Sequence, residues 1–233
     1  MSNYEKETLS AYRTIERAKE YKKYHTEDWS WARISTVREQ KLLERELSRY
    51  NWKSTDRLLD IPCGTGILGK LLHKFQFKIV ASDISPEMMA LAREEYPAGQ
   101  LEDCVQSDIT KTGFPRASFD CIIVLGFLHR VPEEIKKATL KELADLSKGV
   151  VIVNCSTDSP MQRFKMKMLS IFWPNHIPAP CPNTLPEMIT ECEEVGFKVV
   201  KAFSVVPFLS AKSMLVLEKK TNRNSFTIKK NKK

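Results

Sequence analysis

Arg57-Leu58-Leu59-Asp60-Ile61-Pro62-Cys63-Gly64-Thr65-Gly66-Ile67-Leu68-Gly69 reads as a short apolar strand, a turn built on glycines, and the first residues of a helix. A turn of this kind sets bare backbone and a helix N-terminus against a ligand. The glycines at 64, 66 and 69 spell G-x-G-x-x-G, a pattern that by itself also fits a dinucleotide site. The carboxylate of Asp60, at the end of the strand, separates the two. It repels a pyrophosphate and attracts a cationic amino group.

Outward from this stretch, apolar runs at 57–61, 78–82, 103–107, 119–125 and 149–154 predict strands, and 65–75, 86–95 and 133–147 predict the helices between them. Strands alternating with single helices imply right-handed crossovers and a parallel sheet. Asp60, Asp83 and Asp108 each fall at or just beyond a strand's C-terminal end, the edge where such sheets bind ligands. A helix at 185–195 stopped by Gly196 and two strands, 197–205 and 212–219, complete the pattern as an antiparallel hairpin at a sheet edge. The fold class is therefore α/β: a Rossmann-like, doubly wound sheet of seven strands, mostly parallel, with an antiparallel last strand. Residues 1–50, polar and dotted with aromatics, predict a helical N-terminal cap broken near His25–Ser30. Residues 51–220 form the main domain, with a lid insertion at 156–184.

Composition narrows the function classes. The chain has 233 residues, enough for a full core, and no apolar run near the ~20 residues of a membrane span. Its six cysteines are scattered with no C-x-x-C pair, which points to reduced thiols in a cytoplasmic protein and to no metal site. The net charge of +8 suggests nucleic acid until its location is noted. Seven lysines and arginines lie in 219–233, and the rest of the chain carries about +1, no footprint for a polyanion. The tail, 221–233, reads as basic and disordered.

Five motifs in order resemble the class I S-adenosylmethionine-dependent methyltransferases, in the small-molecule branch that includes the ubiquinone and menaquinone methyltransferases. They are Leu59-Asp60-Ile61-Pro62-Cys63-Gly64-Thr65-Gly66, Ser82-Asp83-Ile84-Ser85-Pro86-Glu87-Met88-Met89, Ser107-Asp108-Ile109, Ser118-Phe119-Asp120-Cys121-Ile122-Ile123-Val124 and Leu128-His129-Arg130-Val131-Pro132. Pro62 stands where the family often has a first glycine. The resemblance spans roughly residues 15–219 and implies S-adenosyl-L-methionine as cofactor. It implies that Asp60 anchors the methionine moiety and that Gly64, Thr65 and Gly66 admit the cofactor to the backbone. Asp83 would hold the ribose hydroxyls, with Ile84 and Met88 near the adenine. Asp108 and Ile109 would meet the adenine edge, and Leu125 would line the methionine arm. Tyr21, in Ala18-Lys19-Glu20-Tyr21, resembles an N-terminal element that closes over the cofactor in this branch.

Methyl transfer needs alignment and a water-poor pocket, and an oxygen or nitrogen acceptor must also lose a proton. His129, after the fourth strand, and His176, in the insertion, compete as general bases; each also has a plain structural reading. Met161, Phe164, Met168, Leu169 and Phe172 recur at helical spacing among basic residues. They fit a lid over a partly apolar acceptor, plain packing, or a peripheral membrane contact. The acceptor is then a small molecule, lipid-like or aromatic, methylated on oxygen, nitrogen or carbon.

Three rivals share the glycines. An NAD(P)-dependent oxidoreductase of the short-chain type needs Tyr-x-x-x-Lys, and none of the six tyrosines has a lysine four residues on. A nucleic-acid methyltransferase usually carries an Asn/Asp-Pro-Pro-aromatic element where this chain has Leu125-Gly126-Phe127-Leu128. A catalytically silent cofactor-binding partner protein would have no need of the intact carboxylate series.

Overall fold

The computed structural model describes residues 14–27, 30–158, 163, 167, 183–206 and 211–220. The basic tail, His176 and the five apolar residues of the 161–173 pattern lie outside the described residues.

The strands are β1 (Arg57–Asp60), β2 (Lys78–Asp83), β3 (Leu101–Gln106), β4 (Phe119–Val124), β5 (Ser147–Asp158), β6 (Asn183–Thr184), β7 (Phe197–Ser204) and β8 (Lys212–Lys219). The helices are α1 (Ile15–Thr26), α2 (Trp31–Leu47), α3 (Gly69–Leu72), α4 (Pro86–Ala92), α5 (Glu133–Leu146) and α6 (Leu185–Glu194). The sheet runs β3-β2-β1-β4-β5-β8-β7, with two-residue β6 paired to β5. The first five strands are mutually parallel, and β8 inserts antiparallel between β5 and β7. The mostly parallel, Rossmann-like reading therefore holds, with short β6 added. The last described strand, β8, lies inside the sheet, and β7 takes the edge.

Alternate residues of each central strand feed two cores, because successive side chains point to opposite faces. Leu58, Ile79, Ala81, Cys121, Ile123, Val150 and Ile152 pack with Leu43 and Leu47 of α2 on one face. Leu59, Val80, Ile122, Val124, Val151 and Val153 pack with Leu140 and Leu143 of α5 and Met188 of α6 on the other. Burial on both faces explains why these strands are unbroken apolar runs in the sequence.

The N-terminal segment does two jobs. Ser30 caps α2 by accepting from the Arg33 N–H at 3.1 Å, and the helix then covers one sheet face through Leu43 and Leu47. α1, capped by Thr14, lies beyond the strand ends and reaches the segment just after α4 through Lys22–Glu95 at 2.5 Å. None of the described helices is long and apolar enough to cross a membrane.

The helix expected over 65–75 is confined to Gly69–Leu72. The preceding residues form tight turns, with Gly64 and Gly66 at φ of 53° and 75°. A Cβ on Gly66 would sit 2.8 Å from the Ala92 Cα, so this glycine lets the turn press on α4. A Cβ on Gly64 would meet nothing within 4 Å. Gly66→Ala should therefore cost about 3 kcal/mol of stability and Gly64→Ala only about 1 kcal/mol, read from urea denaturation. Equal losses would mean that the α4 backbone yields.

Candidate functional site

A cleft opens at the C-terminal ends of β1 and β4. Its floor is Asp60, one side is the glycine turn from Pro62 to Leu68, and its roof is α1 with Tyr21 and His25. Thr36, Glu39 and Gln40 of α2, Leu125, Gly126 and Arg130 after β4, and Lys212 of β8 complete the lining.

Asp60 is only 2 % exposed and accepts a 2.5 Å hydrogen bond from the Tyr96 hydroxyl. Burial pushes its carboxyl up to about 7; the Tyr96 bond works against this and the Asp83 charge adds to it. No sequence motif marks Tyr96. It reaches Asp60 because Gly69, having no side chain, lets the 95–96 backbone pack against the start of α3: a Cβ there would overlap the Glu95 carbonyl and stand 3.0 Å from the Tyr96 nitrogen. One glycine of the motif thus serves the carboxylate of the same motif.

Asp83 is 6 % exposed and ties the turn to β2. Its carboxylate accepts from the Gly64 N–H at 2.8 Å and the Ser85 N–H at 2.9 Å. Burial raises its pKa, and these amides and that of Ile84 lower it. Ser85 then caps α4 by accepting from the Met88 N–H at 3.2 Å, so the capping and the site arrangement coexist. Beyond Asp83, Ile84 is 40 % exposed, unusual for isoleucine, while Met88 and Ile109 are buried. The loop after β3 is joined to this end of β2: the Ser107 N–H donates to the Asp83 carbonyl, and the Gln106 amide donates to the Ile84 carbonyl. Asp108 is exposed and accepts from the Thr110 N–H and hydroxyl, both at 2.8 Å.

Of the residues singled out from sequence, Tyr21, Asp60, Gly64, Thr65 and Leu125 line the cleft. Asp83, Ile84, Asp108 and Ile109 belong to the adjoining ends of β2 and β3 and the loops after them, Met88 to α4, and Gly66 packs on α4. His129 sits on a 3-10 turn, Leu128–Arg130, is 8 % exposed and is not among the cleft's lining residues. Burial, then the charges of Arg130, Lys212 and Lys136, drive its pKa down to about 3. His129 thus lies apart from the residues that line the cleft. Asp120 stays at the strand start, accepting from the Arg57 N–H at 2.9 Å.

The histidine that does line the cleft is His25. Its Nδ1 is 3.0 Å from the Thr36 hydroxyl and its ring lies 4.4 Å from that of Tyr21. Burial first, then Lys212 and Arg130, lower its pKa to about 4. The available signal was its position four residues after Tyr21 on one helix, which places both on the same face. Glu39 and Lys212 were also missed. The Asn154 amide donates to Glu39 at 2.6 Å, Lys212 donates to it at 3.2 Å, and Asn154 accepts from the Gly126 N–H at 2.7 Å. These bonds join α2, β5, β8 and the segment after β4, which are far apart in sequence.

The donor set fits a cationic, phosphate-free nucleoside. The Thr65 hydroxyl is buried at the cleft without a hydrogen-bond partner, the space before Gly64 is open, and the floor is acidic. Among the described residues no group of histidines, cysteines and carboxylates is arranged to hold a metal ion.

Comparison with known proteins agrees with this geometry. Residues 58–149 match a family model described as a methyltransferase domain. A putative methyltransferase of Geobacillus sp. (strain WCH70) is 33% identical over 87 residues, 36% of this chain and 34% of its own length. The demethylmenaquinone methyltransferase of Clavibacter sepedonicus is 30% identical over 105 residues, 45% of this chain and 42% of its own. The chain thus spans well under half the length of these curated relatives. In three dimensions, magnesium protoporphyrin IX methyltransferase from Synechocystis PCC 6803 with bound S-adenosylhomocysteine aligns at a TM-score of 0.74. That alignment covers 92% of this chain and 99% of the other at 15% identity, a likeness of fold.

The buried carboxyl at the floor makes stability depend on pH. Folded Asp60 keeps its proton to about pH 7, whereas an unfolded aspartate loses it near 4. Its contribution is complete below the lower value and is lost as pH rises through the upper one. The loss is on the order of 4 kcal/mol. Asp60→Asn, unable to ionise, should flatten this slope and be more stable than wild type at about pH 8, measured by urea denaturation across pH. An unchanged slope in the variant would locate the titration elsewhere.

Proposed function

We propose that the chain is a class I S-adenosylmethionine-dependent methyltransferase that transfers the methyl group of S-adenosyl-L-methionine to a small, partly apolar acceptor; the methyltransferase-domain match over 58–149, the curated relatives and the shared fold support this reading. The observation that carries this reading is the buried Asp60–Tyr96 pair at the floor of a cleft walled by the glycine turn. An acid kept in a dry site at this cost has a use there when a cation arrives to neutralise it.

In this reading Asp60 takes the ammonium of the methionine moiety, and the Tyr96 hydroxyl holds the carboxylate at the angle that meets it. Thr65 and the backbone at Gly64 face the same moiety across the open space of the turn. Asp83 spends part of its acceptor capacity on the Gly64 and Ser85 amides, which fixes its plane. Its remaining lone pairs can accept from ribose hydroxyls. Ile84, exposed and apolar, offers one face for adenine, with Met88 and Ile109 behind it and Asp108 at the rim. Leu125 borders the methionine arm, and Tyr21 covers it from α1.

When bound, S-adenosylmethionine supplies a methyl group on a sulfonium, already a good electrophile. The chain's own contribution is alignment and exclusion of water by α1 and the apolar walls. His129, buried on the 3-10 turn after β4, is not given the base role in this reading. His25, neutral at physiological pH, is the histidine positioned to accept a proton from an acceptor.

Isothermal titration should give heat with S-adenosylmethionine and none with NAD. Asp60→Asn should weaken binding by about 10- to 100-fold, since one charge-assisted contact is lost. Affinity should rise with pH, by up to about tenfold per unit, until the Asp60 proton is gone near 7, then level off. Asp83→Ala should weaken binding sharply and also cost stability, since the Gly64 and Ser85 amides lose their acceptor; Asp83→Asn, which keeps an acceptor oxygen, should spare more of the stability. Tight uptake of NAD with no response to S-adenosylmethionine would falsify the proposal.

A further inference from the structure

One polar residue ends the apolar run of β5: Asn154 follows Val150-Val151-Ile152-Val153. Side chains alternate along a strand, so Asn154 shares a face with Val150 and Ile152, the face that α2 covers. α2 has a matching interruption. Glu39 stands one turn before Leu43 and two before Leu47, on the stripe that packs on that face, and it is buried with them. Two polar residues thus stand where sheet and helix otherwise meet through apolar ones. Burial there is costly unless the polar atoms are met.

They are met by one another and by the cleft wall. The Asn154 side-chain amide donates to one Glu39 oxygen at 2.6 Å, and its carbonyl oxygen accepts from the Gly126 N–H at 2.7 Å. Lys212 donates to the other Glu39 oxygen at 3.2 Å. The polarity of this link is set from both ends. A peptide N–H only donates and a carboxylate only accepts, so the group between them must offer an acceptor to one and a donor to the other. Asparagine does so; aspartate brings two acceptors and valine neither. The link ends at the cleft, which Leu125 and Gly126 both line and Asn154 does not. Gly126 has a left-handed backbone, φ 76°, and a Cβ on it would meet nothing within 4 Å. Open space on that side leaves the bond from its N–H to set the plane of the 125–126 peptide.

We propose that Asn154 and Glu39 are positioning residues for the methyl donor: by holding the Gly126 amide, they set the Leu125–Gly126 peptide against the methionine arm. The proposal rests on the cofactor reading above and deepens it. No bond is made or broken at the pair, and Glu39 acts through Asn154. Glu39 also lines the cleft, so the experiment must separate this role from direct contact with the ligand.

The full chain is titrated with S-adenosylhomocysteine and with 5′-methylthioadenosine, which lacks the amino acid, the weaker affinities being read by ligand-observed NMR. Asn154→Asp sets two carboxyl groups against each other, and Asn154→Val removes the link with a residue that suits a buried strand. Both should weaken S-adenosylhomocysteine by at least about tenfold and 5′-methylthioadenosine by less than about threefold. Adding Glu39→Gln to Asn154→Asp reverses the link: the new glutamine donates to the new aspartate, which still accepts from the Gly126 N–H, and the glutamine oxygen still accepts from Lys212. This double variant should return S-adenosylhomocysteine to within about threefold of wild type, whereas Glu39→Gln added to Asn154→Val should not. Unchanged S-adenosylhomocysteine affinity in both single variants overturns the proposal. So does an equal loss of both ligands, or loss of the fold in both, which assigns the pair to stability alone. Absence of recovery in the reversed pair gives Glu39 a direct contact with the ligand and likewise overturns it. Failure of the wild type to take up S-adenosylhomocysteine at all defeats the cofactor reading itself, an outcome visible before any variant is made.

Discussion

The carboxyl of Asp60, sealed at the end of β1 and held by the Tyr96 hydroxyl, is the constraint on which the rest of the molecule depends. A parallel sheet covered on both faces delivers its strand ends dry, so a charged residue there is expensive unless something meets it. Here only one neutral donor meets it, and the carboxyl responds by holding its proton to about pH 7. The close turn at Gly66 and Gly69, the approach of α4 and the position of Tyr96 all serve that one group. The free fold therefore keeps this group neutral up to about pH 7 and bears the cost of its ionisation only above that.

Asp83 shows a different solution to the same problem. Its burial is offset by backbone amides from the turn and from the start of α4, so it acts as a clamp between β1 and β2 while retaining capacity for a ligand. Across the cleft the N-terminal helices bring a third arrangement. Glu39 on α2 ties Asn154 and Lys212 together, and through Asn154 the Gly126 amide as well. The helices expected to cap the strand ends thus take part in both the core and the electrostatics of the cleft, α2 through Leu43 and Leu47 and α1 through Tyr21 and His25.

Much of the fold was legible in local pattern. Runs such as Cys121–Val124 and Val150–Val153 are apolar on both faces, as in a sheet covered on both sides. The position of β8 was not legible, because a hairpin in sequence does not say which of its strands meets the older sheet; burial of Met214 to Leu217 on both faces places it inside. The helix expected at 65–75 shrank to four residues because Gly64 and Gly66, both at positive φ, break the helical backbone. In the cleft, Asp60, Gly64, Thr65, Tyr21 and Leu125 were found by motif and order. Tyr96, Glu39, Lys212 and His25 were not, since each matters only through a partner distant in the chain.

Sequence alone determined the alternation of strand and helix, the glycine turn and the carboxylates at strand ends, because these are set by side-chain periodicity and by residues with special backbone freedom. Tertiary structure alone decided which charges meet. Tyr96 reaches Asp60 across 36 positions and Lys212 reaches Glu39 across 173. The electrostatics of a cleft depend on distance in space and on exclusion of water, and neither is encoded in the order of residues along the chain.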